Sequence, residues 1–345
     1  MKRYRNLISV IGFLICFFSL LSYTTLLVFP KNIRLGNLKK AFTFYKQPKN
    51  TIDVLFLGAS TIENGISPLI MWEEFGFTSF NRATAGQWPI TTYYLLLESL
   101  QYQNPKVVVI DRDNPIRSSL YHTNVNSTKK AVDPLRFSII KLRLILEIVN
   151  HFENETMISY LFPLIRYHDR WKDINKSDFL FDRYDPYYGQ YVVFHKRRSK
   201  IPDDFMEPVD EVLIPDDGVL LYHQKIIDLC DRQGIDLIYL DMPRIKKSTY
   251  TRYLATKKIA DANNLIYINY ALPELFEDVG FDIEKDFQNL NHLNMSGSIK
   301  VTRHFGSYLN DQFDLTDRRS SAVAEQWNKD YQILSGMMEE HNISQ

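Results

Sequence analysis

A strand-sized apolar run, Val54-Leu55-Phe56-Leu57, stops at Gly58-Ala59-Ser60, and no other stretch limits the fold as tightly. Four consecutive apolar, β-favouring residues without alternation suit a strand buried on both faces, as in a parallel sheet. Gly58 lets the chain turn sharply without a Cβ penalty. Ser60 then stands just beyond the carboxyl end of the strand, where ligands and catalytic groups collect in open α/β sheets. The same residues also suit a plain junction in which Ser60 caps the next helix.

Similar runs recur along the chain. Residues 77–80 read as a second strand, ending at Asn81-Arg82-Ala83-Thr84-Ala85-Gly86-Gln87. Residues 107–110 read as a third, ending in Asp111-Arg112-Asp113-Asn114-Pro115. Residues 236–240, followed by Asp241-Met242-Pro243, and residues 265–268 supply a fourth and a fifth. Helical patterns separate them at 91–103, 218–232, 250–263 and 296–309, and Gly234 is placed to close the second of these. Strands alternating with helices predict a three-layer α/β domain around a central parallel sheet, flavodoxin-like in type.

The alternation lapses over residues 116–215. Residues 134–152 and 155–171 read as helices, followed by an aromatic stretch with Tyr184, Tyr187, Tyr188 and Tyr191 and a basic cluster at Lys196, Arg197 and Arg198. A long insertion of this kind suits a lid or a binding surface. Its tyrosines fit sugar faces or an ordinary core equally well.

At the amino end, residues 7–29 carry no charge and follow Lys2, Arg3 and Arg5. Roughly 20 apolar residues cross a bilayer as a helix. Tyr23, Leu26, Leu27 and Phe29 occupy the places where a cleaved signal peptide would show small residues, so an uncleaved anchor is expected. The basic tip, residues 1–6, then stays cytoplasmic and the remainder is extracytoplasmic, giving a single-pass protein of the cell membrane. Residues 30–50 read as a stalk, 51–312 as the domain, and 313–345 as a polar surface helix or loose tail. The 345 residues have a net charge of zero, which argues against a nucleic-acid partner. The two cysteines, Cys16 and Cys230, fall on different sides of the membrane boundary and cannot pair. No CxxC or HExxH spacing is present, so neither a metal nor a cofactor is expected.

The last block, DFQNLNHLN from Asp286, puts His292 in a loop before a helix. A loop histidine is commonly a surface residue. Beside a strand-tip serine it can instead take the hydroxyl proton as a general base.

FLGAS after the first strand and HLN before the last helix resemble the first and last sequence blocks of the SGNH/GDSL hydrolase superfamily. The chain is more closely similar to its membrane-anchored branch, which includes DltD-like proteins of teichoic-acid D-alanylation and proteins of alginate and cellulose acetylation. The resemblance implies an SGNH-hydrolase-like fold, with Ser60 as nucleophile and His292 as base. The family's acid falls at Asn289, where D-x-x-H has become N-x-x-H; Asp286 is an alternative, and Asp111, Asp113 and Asp241 also stand at strand ends. Oxyanion donors would be the Ser60 N–H, Gly86, Gln87 and Asn114. Gly86 also suits a simple turn. Arg82 and Arg112 would hold an anionic or polar substrate, or lie on the solvated surface. The implied activity is acetyl or D-alanyl transfer to, or acyl-ester hydrolysis from, a cell-surface glycan or teichoic acid, beside a membrane-bound O-acyltransferase. The alternative is an inactive envelope scaffold that binds glycan or that acyltransferase.

Overall fold

The computed structural model describes residues 2–31, 33–111, 125–179, 182–196, 213–245 and 249–343. Five strands form one parallel sheet: β1 Val54–Leu57, β2 Ser79–Asn81, β3 Val107–Asp111, β4 Asp236–Asp241 and β5 Ile266–Asn269. Their spatial order is β2-β1-β3-β4-β5, so the chain reverses direction across the sheet at β1 and β3. Val54 pairs with both Ser79 and Val107 in register, and Val107 with Asp236.

Alternate strand residues enter two separate cores. Leu55, Leu57, Val108, Ile110, Leu237 and Tyr239 face one. Val54, Phe56, Val107, Val109, Ile238 and Leu240 face the other. Both faces are covered by helices, which is why the central strands β1 and β3 carry continuous apolar runs rather than an alternating pattern. The helices Pro89–Ser99, Ile139–His151 and Asp217–Gln233 contribute to the first core, and Met295–Gln312 mainly to the second. The three-layer α/β architecture expected from the strand and helix pattern is the one observed.

Helix Lys2–Val28 precedes the domain. Its segment Asn6–Val28 is long and apolar enough to cross a membrane, with a mean hydropathy of 2.2, and only its last residues, Leu27 and Val28, are buried.

Three expectations need correction. Residues 30–50 are not a free stalk: the helix Lys39–Lys46 sends Phe44 fully into the first core and buries Lys40 and Thr43. Residues 313–345 contain a helix, but one packed into the core rather than a surface helix or a loose tail. The helix Ala324–Glu340 buries Trp327, Leu334 and Met338, and Arg318 grips Asp53 with two bonds of 2.8 Å. Trp327, Leu334 and Met338 recur at helical spacing, so an amphipathic face sits within a polar-looking stretch. Residues 155–171 form no single helix either. Pro163 lacks an N–H and divides the stretch into Met157–Leu161 and Leu164–Tyr167, followed by a 3-10 turn at His168–Asp173.

Candidate active site

Ser60 opens the short helix Ser60–Gly65 directly after β1. The chain enters through Gly58 at φ 134, a conformation that side-chain-bearing residues rarely adopt. A Cβ on Gly58 would stand 2.7 Å from Asp111 Cγ. Asp111 reaches there from the tip of β3 to accept the Ala59 N–H at 2.8 Å. Gln87 Oε1 takes the Gly58 N–H at 2.8 Å. These two bonds fix the turn on either side of the strand tip. The first amides of the following helix, Ser60 included, have no partner in the helical ladder.

His292 arrives on a small antiparallel hairpin, β6 Phe287–Asn289 and β7 His292–Leu293. Only Leu290 and Asn291 join the strands, so Asn289 and His292 stand opposite each other in register. The N-x-x-H spacing is therefore that of a two-residue hairpin. Ser60 Oγ lies 2.7 Å from His292 Nε2, and Asn289 Oδ1 lies 3.0 Å from His292 Nδ1. The same Asn289 oxygen accepts the Asn291 backbone N–H at 2.9 Å. A backbone amide can only donate, so the network assigns the oxygen of Asn289 to this side. Nδ1 must then carry the ring proton, which leaves a lone pair on Nε2 facing the Ser60 hydroxyl.

Other candidates lie elsewhere. Asp286, the alternative third member, is buried and accepts from Ser296 Oγ, Lys300 Nζ and the Asp282 N–H, each at 2.7 Å. It ties the hairpin to the helix Met295–Gln312, and the Nδ1 position of His292 is taken by Asn289. Gln87 is no oxyanion donor. Its Nε2 donates to Arg82 O at 3.1 Å and its Oε1 also accepts from Thr92 Oγ1, so the buried amide holds the turn. Arg82 touches no substrate surface. It is buried, donates to Glu98 and Ser99, and lies over the Phe44 ring at 4.3 Å. Gly86 sits in the turn closed by Gln87 N–H to Thr84 O, at φ 74, where a Cβ would meet Ser127 Oγ at 2.6 Å. That close approach seats the helix Asn126–Val132 beside the site. Asp241 is buried at the tip of β4. Arg112, Asp113 and Asn114 fall outside the described residues.

A cleft of about 380 Å³ opens over Ser60, Asn289 and His292. Asn64, Lys130, Tyr191 and the loop residues Gly36 and Asn37 also line it. Lys130 makes no ion pair among the described residues, whereas the cleft's Glu63 is neutralised by Lys40 at 2.7 Å. Tyr191 is 61% exposed, unlike Tyr188, which is buried and stacked on Trp327 at 3.8 Å. The stretch carrying Tyr191 works as a strap. Tyr188 O accepts from Asn81 N, Tyr191 N donates to Glu63 O, and Val193 O accepts from Met295 N. It thereby ties β2, the Ser60 helix and the helix that follows His292. Lys130, Asn64 and Asn37 carry no local sequence signal, since only the fold brings them to the cleft. Among the described residues, no group of three or more His, Cys, Asp or Glu is placed to hold a metal ion.

No protein-family model matches the chain, and no curated protein matches it in sequence. Among solved structures it is similar to a candidate acylhydrolase from Bacteroides fragilis, at 13% identity and a TM-score of 0.39, covering 79% of this chain and 94% of the other. It is also similar to a GDSL-like lipase from Bacteroides thetaiotaomicron, at 12% identity and a TM-score of 0.35, covering 76% of this chain and 89% of the other.

Proposed function

We propose that the chain is a serine acyl-ester enzyme of the cell envelope, acting by transfer or hydrolysis on a surface glycan or teichoic acid. The observation that carries this reading is the line from Ser60 Oγ through His292 to Asn289, with bonds of 2.7 and 3.0 Å. Ser60 Oγ attacks the ester carbonyl while its proton passes to His292 Nε2. The tetrahedral oxyanion is met by the Ser60 N–H at the helix start and by the amide of Gly86. Collapse expels the alcohol, which takes the proton from His292 and leaves an acyl-Ser60. An acceptor hydroxyl, from a sugar or from water, attacks the acyl carbon as its proton passes to His292. The bond to Ser60 Oγ then breaks and His292 returns the proton to Ser60.

Asn289 orients the imidazole and fixes its tautomer but adds no negative charge beside the transient imidazolium. The exposed Tyr191 ring suits the face of a sugar, and Lys130, which makes no ion pair among the described residues, suits an anionic substituent on it. With the anchor crossing the cell membrane, the cleft is extracytoplasmic, where an acyl donor must be exported by a membrane partner such as an O-acyltransferase. The neutral Asn289 favours a second reading, a glycan-binding scaffold with the same fold and no chemistry.

The two readings separate in cells. Replacing the chain by Ser60→Ala removes the acyl substituents, or their turnover, if the enzyme reading holds. Unchanged envelope acylation with Ser60→Ala, together with loss of acylation when the whole chain is deleted, establishes the scaffold.

A further inference from the structure

The domain does not stand clear of the membrane on its anchor. The span Asn6–Val28 is about 34 Å long at 1.5 Å per residue, against a hydrocarbon core of about 30 Å. Its last turns therefore lie at headgroup depth. Residues 6–20 are exposed, whereas Leu21, Thr24, Thr25 and Leu26 are partly covered and Leu27 and Val28 are buried. What covers them comes from the insertion. Arg170 Nη1 donates to Leu27 O at 2.7 Å, and the Tyr167 ring meets Phe29 at 5.4 Å. An element in contact with the terminal turns of a spanning helix must itself sit at the height of those turns.

Residues 162–172 have faces of different chemistry. Side chains three apart share a face in 3-10 structure and nearly so in a short α-turn. Tyr167 and Arg170 form the ridge against the anchor. Asp169 and Lys172 pair with each other at 3.0 Å on a charged flank. The remaining ridge is Phe162, Ile165, His168 and Trp171. Its three apolar members are 43%, 50% and 63% exposed, so among the described residues each leaves a large share of its apolar surface open. A Trp flanked by aliphatic and aromatic side chains beside the end of a spanning helix has the composition of a bilayer interface.

We propose that the ridge Phe162, Ile165, His168 and Trp171 lies in the lipid interface as a second membrane contact. This rests on the reading that Asn6–Val28 spans the bilayer. Two attachments, the anchor and the ridge, fix the tilt of the domain. The Ser60 cleft, which uses Gly36 and Asn37 just beyond the anchor, is then held at a constant height above the lipid.

Tryptophan fluorescence tests the proposal directly. The chain has four tryptophans, and Trp72, Trp88 and Trp327 are buried, so Trp171 is the one open to quenchers. The full chain is reconstituted into phosphatidylglycerol–phosphatidylethanolamine vesicles that carry a spin label at a shallow acyl position. About half or more of the Trp171 emission should be lost to the lipid label, as for an indole at headgroup depth. Trp171→Phe should abolish the quenchable fraction. Quenching by aqueous acrylamide with none by the lipid label overturns the ridge contact. Quenching by neither also overturns it, because a second copy or another protein then covers the ridge. In a Trp171→Phe background, Phe13→Trp reports the anchor through a deep label. If Phe13→Trp is quenched and Trp171 is not, the ridge reading fails alone. If neither is quenched, the anchor reading fails and the ridge with it.

Discussion

Asn289 stands opposite His292 across a two-residue hairpin, with its Oδ1 3.0 Å from the ring Nδ1. Because Asn291 N–H donates to the same oxygen at 2.9 Å, the amide cannot turn its NH₂ toward the ring without setting two donors face to face. This distinguishes the site from a triad in which aspartate is simply exchanged for asparagine, where the wrong tautomer costs roughly ten-thousand-fold. Here the hairpin backbone holds the productive tautomer, and the missing element is charge alone.

Asn289→Asp should therefore increase activity. A hydrogen bond to a charged partner is worth about 1–2 kcal/mol more than one to a neutral partner. If that difference is expressed when the imidazolium forms, the gain is about tenfold. Hydrolysis of a simple acetyl ester by wild type, Asn289→Asp and Ser60→Ala measures it. Asn289→Leu, which removes the acceptor, should fall well below wild type.

Asp286 should behave as a structural residue. Its carboxylate holds Ser296 and Lys300 at 2.7 Å and closes the loop that presents the hairpin. Asp286→Asn should lower stability by about 1–3 kcal/mol, the usual cost when a buried polar group loses a charged partner. Thermal melts will show the shift, while the rate of serine labelling per folded molecule stays close to wild type. Loss of labelling in a protein that melts normally would return Asp286 to the site.

The carboxyl-terminal helix should prove essential to folding. Trp327 is buried and stacked on Tyr188 at 3.8 Å, within the same core as β1 and β3. Trp327→Ala should cost about 3–5 kcal/mol in denaturant unfolding. A cost near zero would mean that the terminal helix is not part of the core.

Lys141 gives a pH-dependent signature away from the site. Burial is the main cause that lowers its ammonium to about 8, and Arg166 lowers it further, while Asp133 and Glu98 oppose the shift. Its Nζ donates to the carbonyls of Asp133 and Leu135. Between the folded value of about 8 and the ordinary 10.5, the unfolded chain binds the extra proton, so this residue's contribution to stability rises with pH. Lys141→Met should be more stable than wild type at neutral pH, and the gap should narrow as pH rises above 8. A gap independent of pH would contradict the burial of a charged amine.

Much of this fold is legible in the sequence because both faces of the sheet are buried. The central strands β1, β3 and β4 then appear as apolar runs ending at a polar tip, and Gly58 before Ser60 marks a turn that only a glycine relaxes. What the sequence conceals has a different physical basis. Arg82 reads as a substrate-holding or solvated residue and Gln87 as an oxyanion donor, yet Glu98, Ser99 and the Gly58 amide satisfy them inside the protein. Phe44 and Trp327 lie in stretches that are polar on average, where single large side chains supply the burial. Lys130 comes to the cleft only because Gly86 lets the helix Asn126–Val132 approach closely. Asn289 reads as a defective aspartate until the Asn291 amide shows which way its oxygen must face.

Labelling of Ser60 by a fluorophosphonate probe tests the central claim most directly. The full chain in detergent or vesicles is treated with the probe, digested and mapped by mass spectrometry. Wild type should carry the adduct on Ser60, and His292→Ala, which removes the base 2.7 Å from the hydroxyl, should abolish it. Absence of labelling in well-folded wild type, or an adduct on any other serine, would contradict the assignment of Ser60 as an activated nucleophile.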